Sequence, residues 1–218
     1  MNLGGQRDFV LTVETVRPGR LPALLAYYKT EGFGRGPVSN STLHGAWNSE
    51  FGALNRLYLL WECGAESNGS VGEPLAAERM SSTLGSKGQW VTEVEHLHLQ
   101  PACVPLTKAS IDPPGGVWDF RIYDVAPYRV EEYLDELIAV MSVRQKYSKP
   151  FGVWRQRHGR TDRIVHLWPY RDLDHRSEVR AAVAAEPAWQ AFVEKAFAML
   201  IRQRSSLLRQ VDGLDLGR

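Results

Sequence analysis

Hydrophobic and polar positions along this chain switch between two periods, and the order of switching is written twice. Phe9 to Val16 alternates as a strand, with Leu11 and Val13 on one side and Val10, Thr12 and Glu14 on the other. Past the turn at Arg17-Pro18-Gly19, Leu21, Leu24, Leu25 and Tyr28 recur at helical spacing until Gly32 ends the run. Leu43–Glu50 and Arg56–Glu62 read as paired strands joined around Gly52, followed by a Gly/Ser/Asn-rich loop over 64–72. A helix over about 74–84 and a strand from His96 to Leu106 close the first half. In the second half Trp118–Val125 is a strand and Val130–Tyr147 a helix, and Phe151–Arg157 pairs with Arg163–Trp168. Asp174–Ala185 is a helix that Pro187 interrupts. Trp189, Phe192, Val193, Ala196, Phe197 and Leu200 then form a periodic apolar stripe, and Leu207–Val211 is the final strand. Each half is β-α-β-β-α-β, the ferredoxin-like order.

The two halves also share residues in register. Gly45-Ala46-Trp47, Gly52, Asn55-Arg56 and Leu60-Trp61 return without a gap as Gly152-Val153-Trp154, Gly159, Asp162-Arg163 and Leu167-Trp168. Val16-x-Pro18 returns 109 positions later as Val125-x-Pro127, and the stripe Leu21, Leu24, Leu25, Tyr28 returns as Val130, Tyr133, Leu134, Leu137. Several residue types recurring at fixed spacing mark an internal duplication. The expected organisation is a first repeat over 8–107, a linker over 108–116 and a second repeat over 117–212.

The third strand of each repeat is apolar on both sides. Leu57, Leu59 and Trp61 correspond to Ile164, His166 and Trp168 on one side, and Tyr58 and Leu60 to Val165 and Leu167 on the other. Such a strand needs cover on both faces. Helices of the repeat supply one cover, and the sheet of the other repeat supplies the second. The expected fold is therefore α+β: two tandem ferredoxin-like repeats packed sheet to sheet into an intrachain α+β barrel.

Composition narrows the picture. A net charge of +1 gives no electrostatic case for a nucleic-acid or membrane-surface partner. Cys63 and Cys103 occupy unmatched positions of the two repeats, which argues against a disulfide framework. No stretch approaches the length of a membrane span and the first residues carry no apolar signal core, so a cytoplasmic protein, monomeric or homodimeric, is expected. The excess of Arg over Lys hints at a bacterial source.

Three segments carry a family resemblance: Trp118-Asp119-Phe120-Arg121-Ile122-Tyr123 ahead of a Pro-led helix, the hairpin from Gly152 to Trp168, and Ala185-Glu186-Pro187-Ala188-Trp189. They resemble the NIPSNAP family, and each half looks like one family domain. The resemblance implies the dimeric α+β barrel fold and only thinly a function. NIPSNAP proteins have mitochondrial and vesicle-linked associations in animals and mostly unassigned roles in bacteria, and related barrels include cofactor-free monooxygenases, haem proteins and isomerases. The first half departs from the pattern, with Val10, Thr12 and Glu14 where the second has Asp119, Arg121 and Tyr123.

That trio is the main chemical candidate. If Phe120 and Ile122 take the helices, Asp119, Arg121 and Tyr123 point into the barrel, where charge must be paired, hydrated or bound to a ligand. Arg121 would offer a planar fork for an anion or carbonyl, Tyr123 a hydroxyl acid and Asp119 an orienting carboxylate or base. A self-satisfied Asp–Arg pair that fixes sheet packing is the structural alternative. His166 replaces Leu59 of the first repeat and joins the candidate catalytic set, with Trp154 and Trp168 as candidate substrate contacts beside Arg121. The paired Trp are equally explained as core. His96 and His98 share a strand face and, with Glu93 or Glu95, have the geometry of half a metal site, but no third ligand lies at a fixed spacing. Neither a metal nor another cofactor is expected, although a haem would find its axial ligand in His166 or His98.

The function these features point to is small-molecule binding in the second half. A cofactor-independent enzyme acting on an oxygenated organic substrate, by isomerase, cyclase or monooxygenase-like chemistry, is the matching activity. The alternative is a non-catalytic scaffold that makes contacts through residues 64–72 and Glu78–Gln89.

Overall fold

A computed structural model describes residues 8–34, 36–38, 40–63, 85–104 and 116–211. The helix expected over 74–84, the loop over 64–72 and all but the last residue of the expected linker lie outside them. The chain divides into two compact units, one of residues 1–99 with 210–218 and the other of residues 100–209. The fold class is α+β, with eight strands among the described residues, paired antiparallel.

Unit 1 contains β1 (Phe9–Val16), α1 (Leu21–Glu31), β2 (Thr42–Phe51), β3 (Arg56–Glu62) and, after a 3₁₀ turn at Gly85–Gln89, β4 (Val91–Val104). The strand order is β4-β1-β3-β2. Helix α1 begins beside Pro22, whose fixed φ suits a first turn, and ends at Gly32 with φ 72°. Its apolar face packs Leu24 and Tyr28 on Leu57, Leu59 and Trp61 of β3. The last strand starts at Val91 instead of His96 because its first residues are recruited by the ladder to β1, where Glu93 faces Thr15 and Glu95 faces Val13, whatever their polarity.

Unit 2 contains β5 (Val117–Val125), α2 (Val130–Arg144), β6 (Gly152–Gln156), β7 (Arg163–Tyr170), α3 (Leu173–Ala184), α4 (Pro187–Phe197) and β8 (Leu200–Gln210), in the order β8-β5-β7-β6. Pro187 divides the second helical segment in two, because α3 has ended at Ala184 and the proline opens α4. The final strand begins seven residues earlier than the apolar pattern suggests. Residues 201–205 are exposed and carry no hydrophobic period, so only the ladder to β5, from Leu200 opposite Val125 to Arg209 opposite Val117, makes them a strand. The stripe through Leu200 thus spans the end of a helix and the start of a strand.

The recurring G-x-W has a packing cause. Trp154 folds back over Gly152, two residues earlier on the same strand face, so closely that a Cβ there would lie 2.2 Å from the indole. Gly45 and Trp47 repeat the arrangement, with 2.1 Å to the ring. Both rings are buried. The later glycines of the motif, Gly52 and Gly159, turn the hairpins at φ 95° and 73°, where an L side chain is strained. Replacing Gly152 by Ala should therefore destabilise the protein by on the order of 1–3 kcal/mol, the usual range for overpacking a core. Gly45→Ala should cost the same. Chemical denaturation of both variants checks this, and a loss below about 0.5 kcal/mol would show that the rings can move aside.

Candidate functional site

Strand β5 presents Asp119, Arg121 and Tyr123 to the helix-covered face of unit 2, not to the opposite face as the sequence suggests. The reason lies in the partners. On this side Tyr123 packs against the apolar cluster that contains Ile164, Trp168 and Phe192, and α3 supplies an arginine directly to Asp119. Helices α2 to α4 are amphipathic enough to bury the ring of Tyr123 and basic enough to pair the carboxylate, so they accept the polar face of β5.

Asp119 is fully buried. Arg121 Nη2 donates to its Oδ2 at 2.7 Å, Arg176 Nε of α3 to the same oxygen at 2.8 Å, and Ser205 Oγ of β8 to Oδ1 at 2.6 Å. Arg180 stands 3.9 Å away. Burial alone would push the Asp119 carboxyl up, but the hydrogen bond and charge of Arg121, with Ser205 and Arg176, outweigh it and hold the group near 2. Arg121 in turn is raised above the ordinary arginine value: burial opposes its charge, while Tyr123 and Asp119 more than offset that. Arg121 Nη1 donates to the Tyr123 hydroxyl at 3.3 Å, so the phenolic oxygen acts as acceptor and its own proton has no acceptor among the described residues.

His166 sits opposite Arg121 in the β5–β7 ladder, 3% exposed, its ring 4.8 Å from that of Tyr123 and 6.4 Å from that of Trp168. Burial, and then the positive charge of Arg121, push the imidazole down to about 3, so it is neutral at physiological pH. Its Nε2 has no hydrogen-bond partner among the described residues.

Arg121, Tyr123, His166 and Trp168 line one wall of a cavity of about 590 Å³. Tyr133, Leu137, Trp189, Phe192 and Val193 of α2 and α4 form the apolar remainder, and Arg144 and Arg180 add two more guanidinium groups. Four of the six residues singled out from sequence therefore meet at one cavity. Asp119 lies behind it and positions Arg121. Trp154 lies elsewhere: it pairs with Val165, while its neighbour Val153 pairs with His166, so its ring is on the other face of the sheet.

Sequence reasoning missed Arg144, Arg176 and Arg180. Arg144 carried a readable signal, since it continues the buried series Tyr133, Leu137, Val140, Met141 of α2 at helical spacing. Elsewhere, His96 Nδ1 lies 3.0 Å from Thr12 Oγ1 and burial pushes the ring down to about 4. Among the described residues no three His, Cys, Asp or Glu side chains stand close enough to hold a metal ion. Cys63 is buried, and its thiol is pushed up to about 11 by burial, which suits a packing role. No helix of the described residues is long and apolar enough to cross a membrane.

The architecture recurs in solved proteins. An anthrone oxidase-like protein aligns with 95% of this chain and 92% of its own at a TM-score of 0.66 and 15% identity. A putative monooxygenase from Lactobacillus acidophilus aligns with 94% of each chain at a TM-score of 0.64 and 10% identity. These likenesses show the fold. Sequence shows the family: the NIPSNAP family model matches residues 11–65 and 118–212, and the chain belongs to the NIPSNAP family. NipSnap homolog 3B of Mus musculus is 30% identical over 102 residues, 43% of this chain and 41% of that protein. A NipSnap homolog of Dictyostelium discoideum is 26% identical over 178 residues, 80% of this chain and 77% of its own.

Because the His166 pKa is about 3 in the fold and near 6.5 unfolded, the unfolded chain takes up a proton that the folded chain refuses. The stability this group contributes is complete above about pH 6.5 and drains away as pH falls toward 3. His166→Leu, the residue of the first repeat, should remove that dependence. The stability lost between pH 7 and 5 should shrink by about 2 kcal/mol relative to the parent, at 1.4 kcal/mol per pH unit below 6.5. Denaturant titrations at the two pH values measure it, and an unchanged difference would mean the imidazole is protonated or exposed.

Proposed function

We propose that unit 2 binds an oxygenated organic small molecule in the cavity beside Arg121 and that Tyr123 exchanges a proton with it, without a cofactor. The cavity carries this proposal. At about 590 Å³ it falls within the range of small-molecule sites, and it combines apolar walls with a few convergent polar groups. Arg121 is held by Asp119 as a preorganised donor for a carbonyl or enolate oxygen. The uncommitted phenol proton of Tyr123 is next to it, at hydrogen-bonding distance from the same guanidinium. His166, uncharged, contributes an aromatic wall beside that oxygen. Isomerisation, cyclisation or oxygen-dependent chemistry of an enolisable substrate all pass through an enol or enolate oxygen, which Arg121 and the Tyr123 hydroxyl would hydrogen-bond. An open cavity beneath the helices of unit 2, walled by Arg121, Tyr123 and Trp168, supports a ligand over a purely scaffolding role.

A neutral naphthyl ketone fluorophore is a suitable probe. It should bind the parent protein with a blue-shifted emission. Arg121→Ala should weaken binding at least tenfold; Asp119 keeps Arg176 and Ser205, so the variant should still fold, at a lower melting temperature. Ala184→Trp, which projects an indole into the cavity, should abolish binding. Equal affinity in all three proteins would remove this cavity as the site.

A further inference from the structure

Arg144 is the group that neither the fold nor the Asp119 cluster accounts for. It is 3% exposed, at the end of α2, and its guanidinium lies 4.0 Å above the Trp168 ring and 6.0 Å from that of Trp189. Its Nη2 donates to the Tyr170 hydroxyl at 2.9 Å and its Nη1 to the Ser148 carbonyl oxygen at 3.2 Å. Every one of these partners is neutral. Among the described residues no carboxylate reaches it, whereas Arg129, Arg155, Arg160 and Arg163 each find one. A guanidinium stays charged in a protein, and a buried charge without a counter-ion is costly. Burial works against its charge, only partly offset by Tyr170.

The one fully buried carboxylate nearby is already committed. Asp119 accepts from Arg121 and Arg176 and faces Arg180 as well, so its single charge is already shared among three guanidinium groups, and it makes no ion pair with Arg144. Arg121, Arg144 and Arg180 all line the same cavity, whose other walls are the rings of Tyr133, Trp168, Trp189 and Phe192. The lining's own acid, Glu194, is an exposed residue of α4. The cavity is thus short of negative charge and rich in apolar surface. From this we infer that the ligand of unit 2 is an organic carboxylate with an apolar body, its carboxylate taken by Arg144 with Arg121 and Arg180, and its body laid against Trp189 and Phe192. The inference rests on the cavity being the binding site, and it adds the charge and shape of the occupant. A carboxylate suits the geometry because one planar anion can share two guanidinium forks, and Arg144 is already held over the Trp168 ring.

Two matched pairs of probes test it: 2-naphthoate against 2-naphthylmethanol, and dodecanoate against dodecanol, titrated calorimetrically at pH 7.5. In the parent protein at least one acid should bind ten or more times more tightly than its alcohol, and the better acid distinguishes an aromatic from an aliphatic body. Arg144→Met should bring that ratio to within about twofold of unity and leave the alcohol's affinity within about threefold. Arg180→Gln, at a half-exposed position, supplies a second reading if Arg144→Met fails to fold. It should weaken the acid at least threefold and the alcohol not at all. If the alcohols bind as tightly as the acids, or the acid preference survives both substitutions, the carboxylate assignment is overturned while the cavity stands as a binding site. If neither acid nor alcohol binds, the cavity itself falls, and this inference with it.

Discussion

A single buried carboxylate organises the chemistry of unit 2. Asp119 is sealed from solvent, and it survives as an anion only because a strand neighbour, a facing strand and a helix each bring it a donor. That obligation has two consequences. It fixes the side on which β5 carries its polar residues, since only the helix face offers Arg176. It also freezes Arg121 in a single orientation, with one end of the fork on the carboxylate and the other at Tyr123. A guanidinium held this way has already lost its rotamer freedom, so its next hydrogen bond costs little entropy. The Asp–Arg pair is structural, and the Arg it holds lines the cavity. The two roles are successive layers of one arrangement.

The first repeat meets the same backbone with a different answer. Val10 stands where Asp119 would be, Glu14 where Tyr123 would be, and Tyr28 where Leu137 would be. The Tyr28 hydroxyl donates to Glu14 at 2.8 Å, and Lys87 Nζ reaches both at 3.0 Å. Burial, and then the charge of Glu14, push the Tyr28 hydroxyl far above its ordinary value, so it stays protonated and keeps donating. Acid, phenol and ammonium are consumed by one another, as a buried polar network must be if it is to stabilise. In unit 2 the balance is left open, with more guanidinium groups than carboxylates and a cavity between them.

How much of this was legible in the sequence depends on which residues speak for themselves. The G-x-W block announced both hairpins, because a ring folded over a glycine leaves a fixed spacing in the chain. The trio on β5 was visible as charge in an apolar strand, and His166 as a polar residue in a column that is leucine in the other repeat. The face it belongs to was not visible. Alternation separates two sides of a strand without saying which one meets a helix, and here the deciding partners, Arg176 and Ser205, lie 57 and 86 residues away from Asp119. Strand β8 was hidden for a related reason: its middle is exposed and aperiodic, so only the ladder to β5 defines it. Arg144 could have been found. An arginine on the buried stripe of α2, where leucine and methionine precede it, is out of place unless something neutralises or uses it.

The duplication itself decides how such a site can arise. In a protein assembled from two identical copies of one repeat, every substitution is inherited twice, and a charge that helps one pocket must be tolerated at the symmetric position of the other. Joining the repeats in one chain lifts that requirement. Trp47 and Trp154, on Gly45 and Gly152, show what both halves still share. Val10 at the position that corresponds to Asp119, and Leu59 at the position that corresponds to His166, show what each was free to change on its own. Broken symmetry is what lets one half bind its acid, phenol and ammonium to one another while the other concentrates arginine around a cavity.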